Sequence, residues 1–330
     1  MSWPLVPIKD VSTVVTGKTP SKKEDDNFGG DIPFVTPAEL NGSVYVSSAS
    51  QTLTAKGASL VKTVPKNAVM VCCIGSLGKL AIAERELVTN QQINTVIFDV
   101  KKVDPKFGYY ALQRLKPQME SLAPSTTVAI INKSNFEALE IPLPPLAEQK
   151  RIATILDKAD AIRRKRQQAI QLADEFLRAT FLDIFGDPIL NPKKWEVREL
   201  KQLSSKILNG TTPKGGKENY VTKGITFFRS QNVWKRKIVL DDIAFLDDET
   251  HKKMSKSSLK HKDILMTKTG RFNTENSSLG RAAMFMGEDD SANINGHVYL
   301  IRLNTQVINE FVLFILTTDE YREYIRRVCV

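Results

Sequence analysis

Trp3-Pro4-Leu5-Val6-Pro7-Ile8-Lys9-Asp10-Val11 returns as Trp195-Glu196-Val197-Arg198-Glu199-Leu200-Lys201-Gln202-Leu203, and Gly17-Lys18-Thr19-Pro20 returns as Gly210-Thr211-Thr212-Pro213. The correspondence continues with Ile32-Pro33-Phe34-Val35 against Ile225-Thr226-Phe227-Phe228, and Val69-Met70-Val71 against Ile264-Leu265-Met266. Ser76-Leu77-Gly78-Lys79 then matches Ser278-Leu279-Gly280-Arg281, Asn90 falls on Asn293, and Phe107-Gly108-Tyr109-Tyr110 falls on Phe311-Val312-Leu313-Phe314. The offset drifts only from 192 to 204, so the chain reads as two copies of one domain, each roughly 130 to 140 residues long.

Between the copies lies a different kind of sequence. Ile141-Pro142-Leu143-Pro144-Pro145 opens it, with prolines that discourage a helix before them and suit its first turn, and no proline or glycine follows until Gly186. The spacing predicts one helix from Ala147 to about Ile184. Ile152, Ile155, Ala159, Ile162, Arg166, Ala169, Ala173 and Phe176 fall at alternating steps of three and four, an a/d seam that calls for a partner helix. Such a helix rises about 1.5 Å per residue and spans about 55 Å, or about one and a half turns of B-DNA. The expected organisation is a first domain over 1–140, a linking region over 141–190 and a second domain over 191–330.

Within each copy the segments are short and mixed, and the fold class is expected to be α+β. Leu5 to Val15, Ile32 to Val35, Ala68 to Ile74 and Thr95 to Val100 read as strands, separated by turns such as Phe28-Gly29-Gly30-Asp31 and Asn41-Gly42-Ser43. Phe107 to Ser121 reads as a helix. Trp3 and Trp195 are expected to pack, Phe34 and Phe227 to be core, and Trp234, beside a basic run, to meet a sugar-phosphate backbone.

Composition narrows the class. Over 330 residues, 47 Lys+Arg oppose 37 Asp+Glu, for a net +10, and the excess is uneven: +2 in 1–140, +1 in 141–190 and +7 in 191–330. The second copy is expected to feel polyanions more strongly. Cys72 and Cys73 are adjacent, Cys329 is remote and no His lies nearby, so no metal or disulfide framework is expected. No apolar run approaches the roughly 20 residues that cross a bilayer, and the N-terminus lacks the pattern of a secretory signal. A soluble, cytoplasmic protein is expected.

Catalytic signatures are missing. No Asn/Asp-Pro-Pro-Tyr/Phe tetrapeptide of an adenine methyltransferase is present, Gly75-Ser76-Leu77-Gly78-Lys79 lacks the spacing of a phosphate loop, and His251, His261 and His297 have no first-copy counterparts.

Ile141-Pro142-Leu143-Pro144-Pro145-Leu146-Ala147-Glu148-Gln149-Lys150-Arg151-Ile152, followed by a long helix and a second Trp-led copy, resembles the specificity subunit of type I DNA restriction-modification systems. The resemblance covers the whole chain. It implies a non-catalytic protein with two target recognition domains, each reading half of a split sequence in double-stranded DNA. Helical conserved regions would fix the gap. It also implies docking of a modification subunit, which carries S-adenosylmethionine and methylates adenine, and of a restriction subunit that hydrolyses ATP with Mg. A second conserved helix, expected from the family after the second copy, is not found. The seam is therefore expected to pair with a helix of the modification subunit or with a second copy of the chain.

Phosphate contacts need Lys, Arg or backbone amides, and base edges need Arg, Asn, Gln or Ser at loop tips. The first-copy candidates for DNA binding are Lys18, Thr19, Ser21, Lys22, Lys23, Ser76, Lys79, Asn90, Gln91 and Gln92. In the second copy they are Lys214, Lys217, Arg229, Ser230, Gln231, Asn232, Lys235, Arg236, Lys268, Thr269, Arg271, Asn273 and Arg281, with Lys237 in the same run. Arg229, Gln231 and Asn232 follow a strand and are the leading candidates for base readout. The competing reading is a protein-interaction scaffold in which the basic charge is incidental.

Overall fold

A computed structural model of the protein describes residues 3–123, 128–270 and 277–328. The chain divides into two compact units, Met1–Ala169 and Ile170–Val330, and the linking helix contributes its longer first part to one and its shorter last part to the other.

The first unit contains β1 (Leu5–Pro7), α1 (Ile8–Val11), β2 (Ser12–Thr16), β3 (Phe28–Val35), β4 (Tyr45–Val46), β5 (Gln51–Leu53) and α2 (Ala55–Ser59). These are followed by β6 (Thr63–Val64), β7 (Val69–Cys72), β8 (Leu80–Ala83), β9 (Leu87–Thr89), β10 (Ile93–Phe98), α3 (Pro105–Gln113), α4 (Lys116–Leu122), α5 (Lys133–Glu137) and β11 (Glu140–Pro142). One sheet has the order β2-β10-β7-β8-β4 and another β5-β3-β9-β6. Alternation along β7 shows why the central strands are apolar throughout. Val69 and Val71 face a core shared with Phe107, Tyr110 and Leu112 of α3, whereas Met70 and Cys72 face one shared with Val35, Val64 and Leu87 of the other sheet.

The second unit repeats this plan. It comprises β12 (Ser204–Asn209), β13 (Ile225–Phe228), β14 (Val233–Trp234), β15 (Lys237–Ile238), β16 (Ala244–Leu246), α7 (Asp248–Lys253), β17 (Ile264–Thr267), β18 (Ala282–Met284), β19 (Ala292–Ile294) and β20 (Val298–Leu303). Two helices, α8 (Asn309–Leu316) and α9 (Asp319–Val328), close it. The order β12-β20-β17-β18 reproduces β2-β10-β7-β8, and the parallel pair β13/β19 reproduces β3/β9. The chain is thus α+β, with two copies of one domain joined by the long helix α6 (Leu146–Phe185).

Three local readings change. Leu5 to Val15 is two strands separated by the helical turn α1, which starts after Pro7, where the ring cannot continue the sheet ladder. Phe107 to Ser121 is two helices, interrupted at 114–115, with Pro117 in the first turn of α4. The counterpart of Asn90 is Asn295 rather than Asn293: the Asn90 N–H donates to Val35 O (3.0 Å), and the Asn295 N–H donates to Phe228 O (2.9 Å) at the matching place.

Gln149 explains the proline motif. Its side chain is fully buried; Oε1 accepts from the Asp104 N–H (2.8 Å), while Nε2 donates to Lys102 O (2.9 Å) and Pro144 O (2.8 Å). One amide thereby ties the start of α6 to the N-cap of α3. About two turns further on, Asp157 receives hydrogen bonds from Tyr110 Oη (2.8 Å) and Lys106 Nζ. That carboxylate holds the Lys106 ammonium above its ordinary pKa.

Along α6, Ile152 of the predicted seam is half-buried against the first core, beside fully buried Ala153. Ile155, Ala159, Ile162, Ala169, Ala173 and Phe176 are exposed, as is Arg166. No helix among the described residues is long and apolar enough to cross a membrane.

Two predictions follow from packing alone. Gln149→Leu leaves two buried carbonyls and an amide unpaired, and is expected to destabilise the first unit by about 2–4 kcal/mol, measured as a shift in its urea transition. Burial pushes the Cys73 thiol up to about 12 and raises Cys72 as well, so both stay protonated and shielded at pH 8. In a Cys329→Ser background, disulfide reagents should label the native protein no faster than it unfolds.

Candidate nucleic-acid interface

Three loops meet at one end of the main sheet in each unit. In the first, Gly17 enters the loop after β2 with its N–H on Ile93 O (3.0 Å), and the next N–H, of Lys18, is on Thr89 O (3.0 Å). A Cβ at Gly17 would lie 2.2 Å from Asn90 O and 2.4 Å from Thr89 O, so only glycine permits this approach. Thr19 Oγ1 then donates to Gln91 Oε1 (2.6 Å). The β7–β8 loop joins from the other side, with the Cys73 N–H on Gln92 O (2.8 Å).

The second unit builds the same junction. The Gly210 N–H donates to Val298 O (3.0 Å), a Cβ there would lie 2.2 Å from Ile294 O, and the Lys268 N–H donates to His297 O (3.0 Å). Thr212 Oγ1 accepts from the Gly296 N–H at 3.5 Å, in the place of the Thr19–Gln91 contact. His297 therefore stands where the first unit has Gln92, and Gly296 where it has Gln91. His297 was invisible as an equivalent because the sequence alignment was two residues out of step there.

Asn90 and Asn295 shape the turns. Asn90 is nearly buried; its Oδ1 accepts from the Gln92 N–H (3.1 Å) and its Nδ2 donates to Gln92 Oε1 (3.0 Å). Asn295 Oδ1 accepts from the His297 N–H at the same distance, 3.1 Å. Asn90, among the candidates for base contact, has its side chain engaged within the turn, with the backbone N–H and the side-chain amide of Gln92. Gln91 is exposed and Gln92 half-exposed.

Around the first junction, Lys18, Ser21, Lys22, Lys23, Ser76 and Lys79 are exposed and Thr19 is half-buried. Around the second, Lys214, Lys217 and Thr269 are exposed. Lys268 carries its ammonium 5.8 Å from the Tyr299 ring centre. Thr269 Oγ1 is 3.4 Å from His297 Nδ1. Arg281, the counterpart of Lys79, stacks on Trp234 at 3.9 Å, and its Nε donates to Ser277 O (3.1 Å). Burial and nearby Arg322 lower its pKa, yet a guanidinium stays charged at neutral pH. Trp234 is thus a platform for this arginine. Arg271 and Asn273 lie outside the described residues.

The leading candidates of the second copy are elsewhere. Asn232 is fully buried, accepting from the Arg229 N–H (3.0 Å) and donating to Val239 O (3.1 Å) and Asp241 O (3.2 Å). Arg229 has a side chain 13% exposed, hydrogen-bonded to Asp242 O and paired with the Asp242 carboxylate at 3.2 Å. Gln231 Nε2 donates to that same carboxylate, and Ser230 is half-buried between them. Arg229 and Asn232, the leading candidates for base readout, have these side chains bonded within the frame of a short 3-10 turn.

Lys235 and Arg236 each meet a carboxylate of their own unit. Lys235 pairs with Asp319 (2.9 Å); Arg236 pairs with Asp174 of α6 (2.9 Å) and lies 5.4 Å from the Phe314 ring. With Arg178–Asp319 (2.8 Å) and Phe181 stacked on Phe314 (4.3 Å), they fasten the end of α6 to its unit. A phosphate would have to displace these carboxylates.

Two duplicated α+β domains, each with polar loops gathered at one sheet end and a helix clamped beside it, define a tandem-domain protein. The model of the type I restriction modification DNA specificity domain matches residues 2–172, and the chain belongs to that family. It is similar to the type I restriction enzyme MjaIX specificity subunit of Methanocaldococcus jannaschii, with 26% identity over 81% of this chain and 66% of that protein. It is also similar to the HindI specificity subunit of Haemophilus influenzae, with 28% identity over 51% of this chain and 39% of that one. The chain thus spans from under half to about two thirds of these relatives. A crystal structure of a type I restriction-modification S subunit from M. genitalium shares the fold, with TM-score 0.56 and 19% identity over 99% of this chain and 79% of that one.

The assignment of Asn90 and Asn295 as turn formers is testable. Asn90→Ala or Asn295→Ala is expected to destabilise its own unit by about 1–3 kcal/mol, read as faster amide exchange in the strands flanking that turn. Unchanged exchange would return the side chain to the pool of DNA-facing groups.

Proposed function

We propose that this chain is the non-catalytic DNA-recognition element of a type I restriction-modification assembly, and that each unit reads one half of a bipartite sequence in double-stranded DNA. The observation that carries this reading is the loop junction built twice on one backbone plan with different side chains. Gln91, Gln92 and Lys79 occupy the first junction; Gly296, His297 and Arg281 occupy the second. A shared scaffold supplies the same approach to a duplex, and changed tips supply different base preferences. Exposed lysines at 18, 22, 23, 214 and 217 supply the sequence-blind phosphate contacts.

Catalysis then belongs to partners. A modification subunit would bring S-adenosylmethionine and receive a flipped adenine, and a restriction subunit would bring ATP and Mg. The exposed apolar positions Ile155, Ile162 and Phe176 on α6 are what a docking helix of the modification subunit would cover.

Co-expression with the modification subunit encoded beside this chain, followed by base-resolution mapping of adenine methylation, tests the reading. A split motif is expected. Gln91→Ala combined with Gln92→Ala should relax one half of it, and Arg281→Ala or His297→Ala the other, each by about 1–3 kcal/mol of discrimination. Lys22→Ala should weaken binding to all sequences and reduce the salt slope by about 1. A complex that methylates without any sequence preference would overturn the proposal.

A further inference from the structure

The β9–β10 turn is locked on both sides of Asn90, whose N–H donates to Val35 O (3.0 Å) and whose O accepts from the Ile93 N–H (3.2 Å). The Asn90 side chain, in a residue only 7% exposed, faces the turn itself. The two ends of a side-chain amide have the same shape and opposite hydrogen-bonding roles, so the partners decide which end faces which way. For Asn90 one partner is unambiguous: the Gln92 backbone N–H can only donate, and it lies 3.1 Å from Oδ1. The other end, Nδ2, then meets the Gln92 side chain at 3.0 Å. Two NH2 groups cannot share that contact, so Gln92 turns its Oε1 inward. Its Nε2 is the end left over, on a half-exposed side chain, and among the described residues no acceptor takes its protons.

Gln91 is not held in this way. Its Oε1 meets Thr19 Oγ1 at 2.6 Å, and a hydroxyl both donates and accepts, so either end of the Gln91 amide satisfies that partner. In the second unit Asn295 Oδ1 accepts from the His297 N–H, but the tip is an imidazole, and its Nδ1 again faces a hydroxyl, Thr269 Oγ1, at 3.4 Å. Of these three tip side chains, Gln92 has the fixed polarity.

We propose that Asn90 is a positioning residue that sets the polarity of Gln92, and that Gln92 therefore takes a base with an exocyclic carbonyl, guanine or thymine, in the major groove of the first half-site. The inference rests on the DNA-recognition reading given above. At the matching point of the groove G O6 and T O4 accept, whereas A N6 and C N4 donate. A fixed N–H donor pairs with the first two and opposes the second two, where donor would meet donor. Bidentate pairing of glutamine with adenine needs both ends of the amide turned to the base, and here Asn90 holds one of them.

Base-resolution mapping of adenine methylation by the full chain in complex with the modification subunit, in the wild type and three variants, tests the proposal. Gln92→Glu changes a tip side chain outside the core: one carboxylate oxygen accepts from Asn90 Nδ2 and the other faces the base. Asn90→Asp keeps an oxygen for the Gln92 N–H and replaces Nδ2 by a second acceptor, so the Gln92 amide reverses and presents Oε1. Both are expected to change one pair of the first half by a transition, G to A or T to C on the contacted strand, with at least about tenfold preference for the new base. Asn90→Ser supplies an oxygen without an NH2 and should make that pair degenerate between the same two bases. The second half of the motif should stay as in the wild type throughout. A purely structural Asn90 would lower methylation at all sites and leave the motif unaltered. Wild-type methylation without a split motif would overturn the recognition reading and this inference together. With a split motif, an unaltered pair or a transversion in Gln92→Glu would overturn the assigned polarity alone, and a wild-type base retained in both Asn90→Asp and Asn90→Ser would overturn the role of Asn90.

Discussion

The loop junctions depend on one close approach of backbone to backbone. Where the chain leaves β2 and β12 it passes so near the β9–β10 and β19–β20 turns that a methyl group would lie within about 2.2 Å of a carbonyl oxygen. Glycine at 17 and 210 removes that obstacle, and the glycine N–H groups bond across the gap. With the backbones locked, the loop tips are displayed by strands rather than by their own side chains. Gln92 and His297 can then differ without altering the turn that presents them, because Asn90 and Asn295 hold each turn from within. The residue that holds the turn and the residue displayed at its tip are different, two positions apart.

The same separation governs the basic residues. Lys18, Lys22, Lys23, Lys214 and Lys217 project from exposed loops, while Arg229, Lys235 and Arg236 each meet a carboxylate or carbonyl of their own unit. An exposed ion pair contributes little to stability alone, on the order of 0–1 kcal/mol. The pairs around Asp319 and Asp174 act together with the Phe181–Phe314 stack, and their joint effect is to fix the end of α6. Arginine suits such sites, since its planar head can pair with a carboxylate and lie near a ring, as Arg236 does with Asp174 and Phe314.

Much of this was legible in the sequence. The repeat, the α+β class and the extent of α6 follow from Trp-led segments, apolar runs and a stretch free of Pro and Gly, because these signals are local or recur. The site was legible only in part. Gly17 meets Ile93 and Thr19 meets Gln91 across more than 70 residues, and nothing local distinguishes an exposed amide such as Gln91 from a turn-forming one such as Asn90. Arg229 and Asn232 look like a loop tip after a strand, yet the 230–232 turn folds inward onto Asp242 and the carbonyls of Val239 and Asp241. Whether a polar residue faces in or out there is decided by acceptors ten residues downstream.

The two units hold the helix by different chemistry, and the difference has a consequence. The first uses a buried amide, with Gln149 bonded three ways, and a carboxylate that joins Tyr110 to Lys106. Every donor and acceptor there is matched, so a change of helix phase would leave several buried polar groups unpaired, each costing about 1–3 kcal/mol. The second uses stacked rings and part-exposed ion pairs, which tolerate small shifts because neither demands a single orientation. The start of α6 is thus set rigidly on the first unit while its end is held by contacts that can adjust. In a protein built of two similar domains on one helix, the first attachment defines where the helix begins, and compliance in the helix–domain contact resides in the second.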